Sequence, residues 1–186
     1  MSFQNITVFG SAKPMPGDPD YSDGIRLGSL LAHAGYTVIT GGYLGTMEAV
    51  SRGAAEAGGH VVGVTCDELE TYRPVRHNRW VKEERRFPKL RDRLLSLIDL
   101  CDAALALPGG AGTLAEVSMM WNHLLTKAIP PRPLILIGPG WKTTFETYFN
   151  ALGQYVGDSE RSWISFAGDV DSAFHLLQSV QNSPKN

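Results

Sequence analysis

Leu107-Pro108-Gly109-Gly110-Ala111-Gly112-Thr113-Leu114-Ala115-Glu116 is the stretch on which the fold turns. Ahead of it, Ala103–Leu107 is a short apolar run; behind it, apolar residues recur at helical spacing as far as Leu125. A buried strand that passes through glycines into an amphipathic helix is half of a βα unit. The same pattern repeats outward in both directions. Apolar runs at Ile6–Phe9, Tyr36–Thr40, His60–Val64, Leu134–Ile137 and Ile164–Phe166 read as further buried strands. Candidate helices lie between and after them, at Tyr21–Ala34, Thr46–Ala57, Pro88–Cys101, Thr113–Leu125, Trp141–Leu152 and Val170–Ser179. This alternation predicts an α/β chain with a parallel sheet covered on both faces.

The expectation is therefore a Rossmann-like, doubly wound parallel sheet in a single domain spanning residues 1–180, with 181–186 as a disordered tail. A chain of 186 residues buries a core without staples. Lys and Arg number 17 against 19 Asp and Glu, a net charge of −2. That balance lacks the basic excess that nucleic-acid and anionic-membrane binders rely on, so neither partner is expected. Two cysteines, no membrane-length apolar run and a polar start at Met1-Ser2-Phe3-Gln4-Asn5 point to the cytoplasm. The five histidines lack metal-site spacing, so no metal is expected. No serine sits in a Gly-x-Ser-x-Gly elbow, and the run Lys82-Glu83-Glu84-Arg85-Arg86 reads as a solvated loop.

Ligands of open α/β sheets sit at the carboxyl ends of the strands, where this chain places its glycines. Pro108, Gly109, Gly110, Gly112 and Thr113 form one candidate phosphate nest at a helix start. Gly41, Gly42, Gly45 and Thr46 form a second, and Gly10 and Ser11 close the first βα turn. Neither nest has the Walker spacing, and the first turn lacks the three-glycine dinucleotide fingerprint, so a mononucleotide fits best. Two titratable residues stand out nearby. On a helical wheel Glu116 falls off the stripe Leu114, Val117, Trp121, Leu124, Leu125 and shares a sector with Met120 and His123. Thr113-x-x-Glu116 also fits a capping box, and both readings are open. Arg93 flanks the stripe Leu90, Leu94, Leu97, Ile98, Cys101, from where a guanidinium can reach a phosphate or ribose. Met119, Met120 and Leu100 add apolar surface outside the stripes, which predicts a homodimer.

Pro108 to Glu116 resembles the PGGxGTxxE motif of the Lonely Guy (LOG) family of cytokinin riboside 5′-monophosphate phosphoribohydrolases, once widely labelled lysine decarboxylases. The resemblance extends over roughly residues 6–137. It implies a Rossmann-like dimer that cleaves the N-glycosidic bond of AMP or an N6-substituted AMP, without a cofactor, with Arg93 and Glu116 in the catalytic positions. Two features differ from that pattern. Leu94 stands where a lysine usually follows the arginine, and Met47–Ala54 looks more like molybdenum-cofactor carrier proteins. The alternative is thus a non-catalytic carrier of a nucleotide or of that cofactor.

Overall fold

The computed structural model describes residues 3–182. Its strands are β1 (Asn5–Phe9), β2 (Thr37–Thr40), β3 (Val61–Cys66), β4 (Glu83–Phe87), β5 (Ala103–Ala106), β6 (Leu134–Ile137) and β7 (Ile164–Ala167). They form one seven-stranded sheet in the order β4-β3-β2-β1-β5-β6-β7, with every pairing parallel. The helices are α1 (Pro19–His33), α2 (Thr46–Glu56), α3 (Asp67–Tyr72), α4 (Leu90–Asp99), α5 (Ala111–Leu125), α6 (Pro139–Leu152), α7 (Asp158–Arg161) and α8 (Val170–Asn182).

Period-two alternation divides the strand residues between two cores. Ile6, Val8, Val38, Leu105 and Ile135 pack with Leu27, Leu31, Val50 and Leu177 of α1, α2 and α8. Phe9, Ile39, Val64, Ala104 and Leu136 pack with Leu97, Val117, Trp121 and Phe145 of α4, α5 and α6. The sheet is doubly wound, as the alternation predicts. Its strand order reverses between β1 and β5, which pair from Ile6↔Ala103 to Phe9↔Ala106. Loops leaving those two strands part there and open a crevice.

Several sequence expectations need correction. The charged run is not a loop: Glu83–Phe87 is the edge strand β4, in register with β3 from Val62↔Glu83 to Cys66↔Phe87. An exposed edge position, where the middle residues of the strand stay in solvent, explains the missing alternation, and charges there protect the open edge. Arg86 instead ties β4 to α3 through Asp67 and Glu70, both at 2.7 Å. On α5 the buried face is Thr113, Val117, Met120, Trp121 and Leu124, rotated from the expected stripe. Met120 is therefore core, and Leu114 is exposed. On α4 the buried face is Arg93, Leu97 and Ile98, with Leu90 exposed, so the arginine occupies the stripe it was expected to flank. Helix α8 continues to Asn182, two residues into the expected tail; residues 183–186 lie outside the described residues.

α1 and α2 pack backbone to backbone. A Cβ on Gly28 would lie 2.1 Å from the Val50 carbonyl oxygen, and one on Gly53 would lie 1.9 Å from that of Ile25. No flexible side-chain end is available to give way at either contact. Gly53→Ala is expected to separate the helices and cost about 1–3 kcal/mol, read as a lowered denaturation midpoint. Gly140→Ala, where the added methyl meets open space, is the matched control and should leave the midpoint in place.

Candidate active site

The crevice at the β1/β5 switch point is a cleft of about 530 Å³ lined by Ser11, Lys13, Pro14, Asp18, Pro19, Asp20 and Pro108–Gly110. Its floor is the start of α5, whose N-cap is Gly110. The cap carries no side-chain hydrogen bond, and the first helical bond runs from Leu114 N–H to the Gly110 carbonyl. The N–H groups of the first turn are thus left for an anion, and the helix dipole favours one. Thr113 is the third residue of the helix and does not cap it, so the capping-box reading of Thr113 and Glu116 does not hold. The reason lies in the glycines. They carry the chain into the helix three residues earlier than the Thr-x-x-Glu spacing implies, with Gly110 rather than Thr113 as N-cap. Thr113 is buried beneath Gly109, where a Cβ would lie 2.1 Å from its hydroxyl oxygen.

The Gly41–Thr46 loop takes a different part. A Cβ on Gly10 would meet Thr46 Cγ2 at 2.5 Å, and one on Gly45 (φ +69°) would meet the Ser11 carbonyl oxygen at 2.5 Å. Thr46 donates its N–H to that same carbonyl at 2.8 Å. The loops after β1 and β2 therefore interlock, and two donors of the expected second nest are already engaged, since the Gly42 N–H donates to Thr40 Oγ1 at 3.1 Å. Gly41, Gly42, Gly45 and Thr46 are all buried, whereas Pro108, Gly109, Gly110 and Gly112 are exposed at the crevice and Gly10 and Ser11 are half-buried.

Arg93 and Glu116 come together from α4 and α5, with Nη1 to Oε1 at 3.8 Å and side chains only 7% and 13% exposed. The Arg93 guanidinium is held from several sides. Nε donates to the Val64 carbonyl at 2.8 Å, Nη2 donates to the Gly41 carbonyl at 3.0 Å, and the Tyr43 ring lies 5.6 Å from Cζ. Arg93 is thus fixed over the ends of β2 and β3 and does not line the β1/β5 cleft, so the expected reach to a phosphate is not what its bonds provide. Its free direction is toward Glu116. Among the described residues no hydrogen bond reaches the Glu116 carboxylate beyond this ion pair. Burial pushes its pKa up to about 7, with Arg93 drawing it the other way. A buried carboxyl group near neutrality, on the helix whose N-terminus floors the cleft, is suited to exchange a proton at physiological pH.

Three residues of this arrangement were not weighed from the sequence. Lys13 brings a cation to the cleft, and its place in the first turn was the available signal. Tyr43 receives the Cys66 N–H at 2.9 Å on its hydroxyl and so anchors the ring beneath Arg93. Asn78 is buried and clasps the loop after β2: its Nδ2 donates to the carbonyls of Gly42 at 3.0 Å and Tyr43 at 2.9 Å. No sequence signal marks the last two, because both act across more than 20 residues of chain. The residue next to Arg93, Leu94, is half-buried and packs against the core, and Glu48 is half-buried on α2. Among the described residues no group of histidine, cysteine, aspartate and glutamate is placed to hold a metal, and no helix is long and apolar enough to cross a membrane.

Known proteins with this organisation include the following. A cytokinin riboside 5′-monophosphate phosphoribohydrolase of Rhodococcoides fascians is 25% identical over 182 residues, covering 95% of this chain and 90% of its own. A probable cytokinin riboside 5′-monophosphate phosphoribohydrolase of Oryza sativa subsp. japonica is 36% identical over 182 residues, covering 95% of this chain and 78% of its own. Among solved structures, the molybdenum cofactor binding protein of the phototrophic bacterium Rippkaea orientalis superposes with a TM-score of 0.75 at 22% identity, over 97% of this chain and 98% of its own. That last likeness is one of fold. The model of the SLOG cluster4 family matches residues 4–127, a stretch that holds the crevice, Arg93 and Glu116, and the chain belongs to this LOG-type family.

Proposed function

We propose that this protein hydrolyses the N-glycosidic bond of a nucleoside 5′-monophosphate, AMP or an N6-substituted AMP, to the free base and ribose 5-phosphate. The observation that carries the reading is the enclosed Arg93–Glu116 pair at 3.8 Å, next to a helix N-terminus open to an anion. The LOG-type relatives support the same reaction class.

In this reading the 5′-phosphate sits in the β1/β5 cleft, against the first turn of α5 and the Lys13 ammonium. The ribose then extends toward Glu116. As the C1′–N bond breaks, its electron pair leaves with the base and positive charge develops on the ribosyl ring. The Glu116 carboxylate faces that charge and accepts a proton from the water whose oxygen bonds to C1′. The proton taken up by Glu116 then passes to the departing base, which closes the hydrolysis and restores the carboxylate. Arg93, which as a guanidinium does not give up a proton, keeps Glu116 in place and favours its ionised form. The rival reading, a carrier that binds the same class of ligand without cleaving it, is favoured by Leu94, which leaves no cation beside Arg93. Incubation with AMP separates the two, since a carrier binds AMP and releases no adenine. The exposed Leu90, Leu114 and Met119 on α4 and α5 support a homodimer, although Met120 no longer contributes.

Glu116→Gln is expected to lower adenine release about a hundredfold, or about 2.7 kcal/mol of barrier, with AMP affinity retained. Wild-type turnover should rise with pH through about 7 as Glu116 ionises. Stability should move the opposite way. The folded pKa of about 7 lies above the reference 4.5, so the native state binds the extra proton. This contribution is fully present below about pH 4.5 and is lost as pH rises through 7, a swing of up to about 3 kcal/mol. The melting temperature of Glu116→Gln should therefore gain on wild type between pH 4.5 and 7, and parallel curves would contradict the burial of a titrating carboxyl. Lys13→Ala should weaken AMP by about 1.5–3 kcal/mol and adenosine much less, because only AMP carries the phosphate; equal losses in calorimetry would place the phosphate elsewhere. Light scattering should give the mass of a dimer at micromolar concentration, and a monomer there would contradict the proposed assembly.

A further inference from the structure

The chain between α3 and β4, residues 73–82, crosses the carboxyl end of the sheet beyond β2 and carries a charge pattern that no other segment of the described residues repeats. Arg26, Arg52, Arg85, Arg86, Arg91, Arg93 and Arg161 each have a carboxylate within 4.0 Å, and Arg132 donates to backbone carbonyls. Arg73, Arg76 and Arg79 have no carboxylate partner among the described residues, and all of them are exposed. They fall three residues apart in one irregular segment. A surface that pairs its other arginines with carboxylates or carbonyls leaves these cations concentrated where an anion is to be met.

The segment is also fixed in place. Asn78 is 6% exposed, receives the Trp80 N–H on its side-chain oxygen at 3.1 Å, and gives its own backbone N–H to the Gly42 carbonyl at 2.8 Å. Arg79 lies over the Trp80 ring at 4.6 Å and Arg73 over the Tyr72 ring at 5.9 Å, contacts that orient each guanidinium without neutralising it. Tyr72 itself is 81% exposed. The sheet order gives the direction. The phosphate cleft lies at β1/β5, Arg93 is anchored at the ends of β2 and β3, and this segment connects onward to β4. In the proposed pose, with its phosphate in the cleft and its glycosidic bond at Glu116, a nucleotide extends its base along the sheet order from β1 past β2, the side on which Asn78 fastens this segment to Gly42.

We infer that Arg73, Arg76 and Arg79 form a second anion subsite that selects nucleoside monophosphates whose base carries an anionic substituent. The inference rests on the nucleotide reading of the site and names its substrate class. A purely apolar N6 substituent would leave these guanidinium groups without a partner, whereas a carboxylate or phosphate on the exocyclic nitrogen gains charge-assisted hydrogen bonds from them.

The test is calorimetric titration in the Glu116→Gln background, which keeps nucleotides intact, using AMP, N6-benzyl-AMP and N6-(1,2-dicarboxyethyl)-AMP. The dicarboxylate is expected to bind at least tenfold more tightly than AMP and than the neutral benzyl nucleotide. That preference should shrink with added salt. It should fall several-fold in Arg76→Gln and vanish in the combined Arg73→Gln, Arg76→Gln, Arg79→Gln variant, whose AMP binding reports that it is folded. AMP binding with no preference for the dicarboxylate, or a preference that survives the combined variant, overturns this inference alone. Failure of every nucleotide to bind wild type overturns the nucleotide reading and the subsite with it.

Discussion

The structure of the site depends on one unusual placement: a guanidinium inside the buried face of a helix. Arg93 stands with Leu97 and Ile98 on the face that α4 turns to the sheet, where burial of a charge is costly unless every donor is answered. The fold answers it from β3, from the loop after β2 and from α5. Val64 and Gly41 offer carbonyls, Tyr43 offers a ring, and Glu116 offers the counter-charge. Gly41 has to be glycine for this to work, since a Cβ there would lie 2.1 Å from Arg93 Nη2. The glycines after β2 therefore make room for a cation, while those after β5 open a helix to an anion.

The same placement sets the chemistry of Glu116. A carboxyl group enclosed between α4 and α5 loses hydration, and at 3.8 Å a single guanidinium restores only part of what it loses. The outcome is a group that titrates near 7, whereas the well-bonded surface carboxyls Glu68 and Glu83 are held low by their hydrogen bonds. The proposed anion site and the proposed base come from the two ends of one short stretch. Pro108–Gly110 shape the cleft, and Glu116, one and a half turns into α5, meets Arg93.

Much of the fold was legible in the sequence because a doubly wound parallel sheet writes itself in apolar runs and glycine turns. β6 was read to its exact bounds, and the other core strands to within two residues at either end. What escaped had a physical reason. β4 carries Glu83-Glu84-Arg85-Arg86 because this edge strand stays largely in solvent, so period-two alternation has nothing to enforce it. The rotation of α5 escaped because the wheel fixes only the angles between residues, whereas tertiary packing decides which sector meets the sheet, and Met120 rather than Leu114 faces it. In the site, Arg93 and Glu116 could be picked out singly, but their mutual contact, the clasp of Asn78 on Gly42 and the ring of Tyr43 under Arg93 are tertiary facts with no local signature.

Burial, opposed in part by Arg93, holds the Glu116 carboxyl group near neutrality on the helix whose N-terminus floors the crevice. The most direct measurement is a carbon-13 NMR titration of the glutamate side-chain carboxyls, with the Glu116 signal assigned by its loss in Glu116→Gln, run with and without inorganic phosphate. A midpoint near 7 that moves upward when phosphate occupies the cleft is the predicted result. A midpoint near 4.5 that is indifferent to phosphate would mean that Glu116 is an ordinary solvated carboxylate remote from the anion site, and would contradict the account.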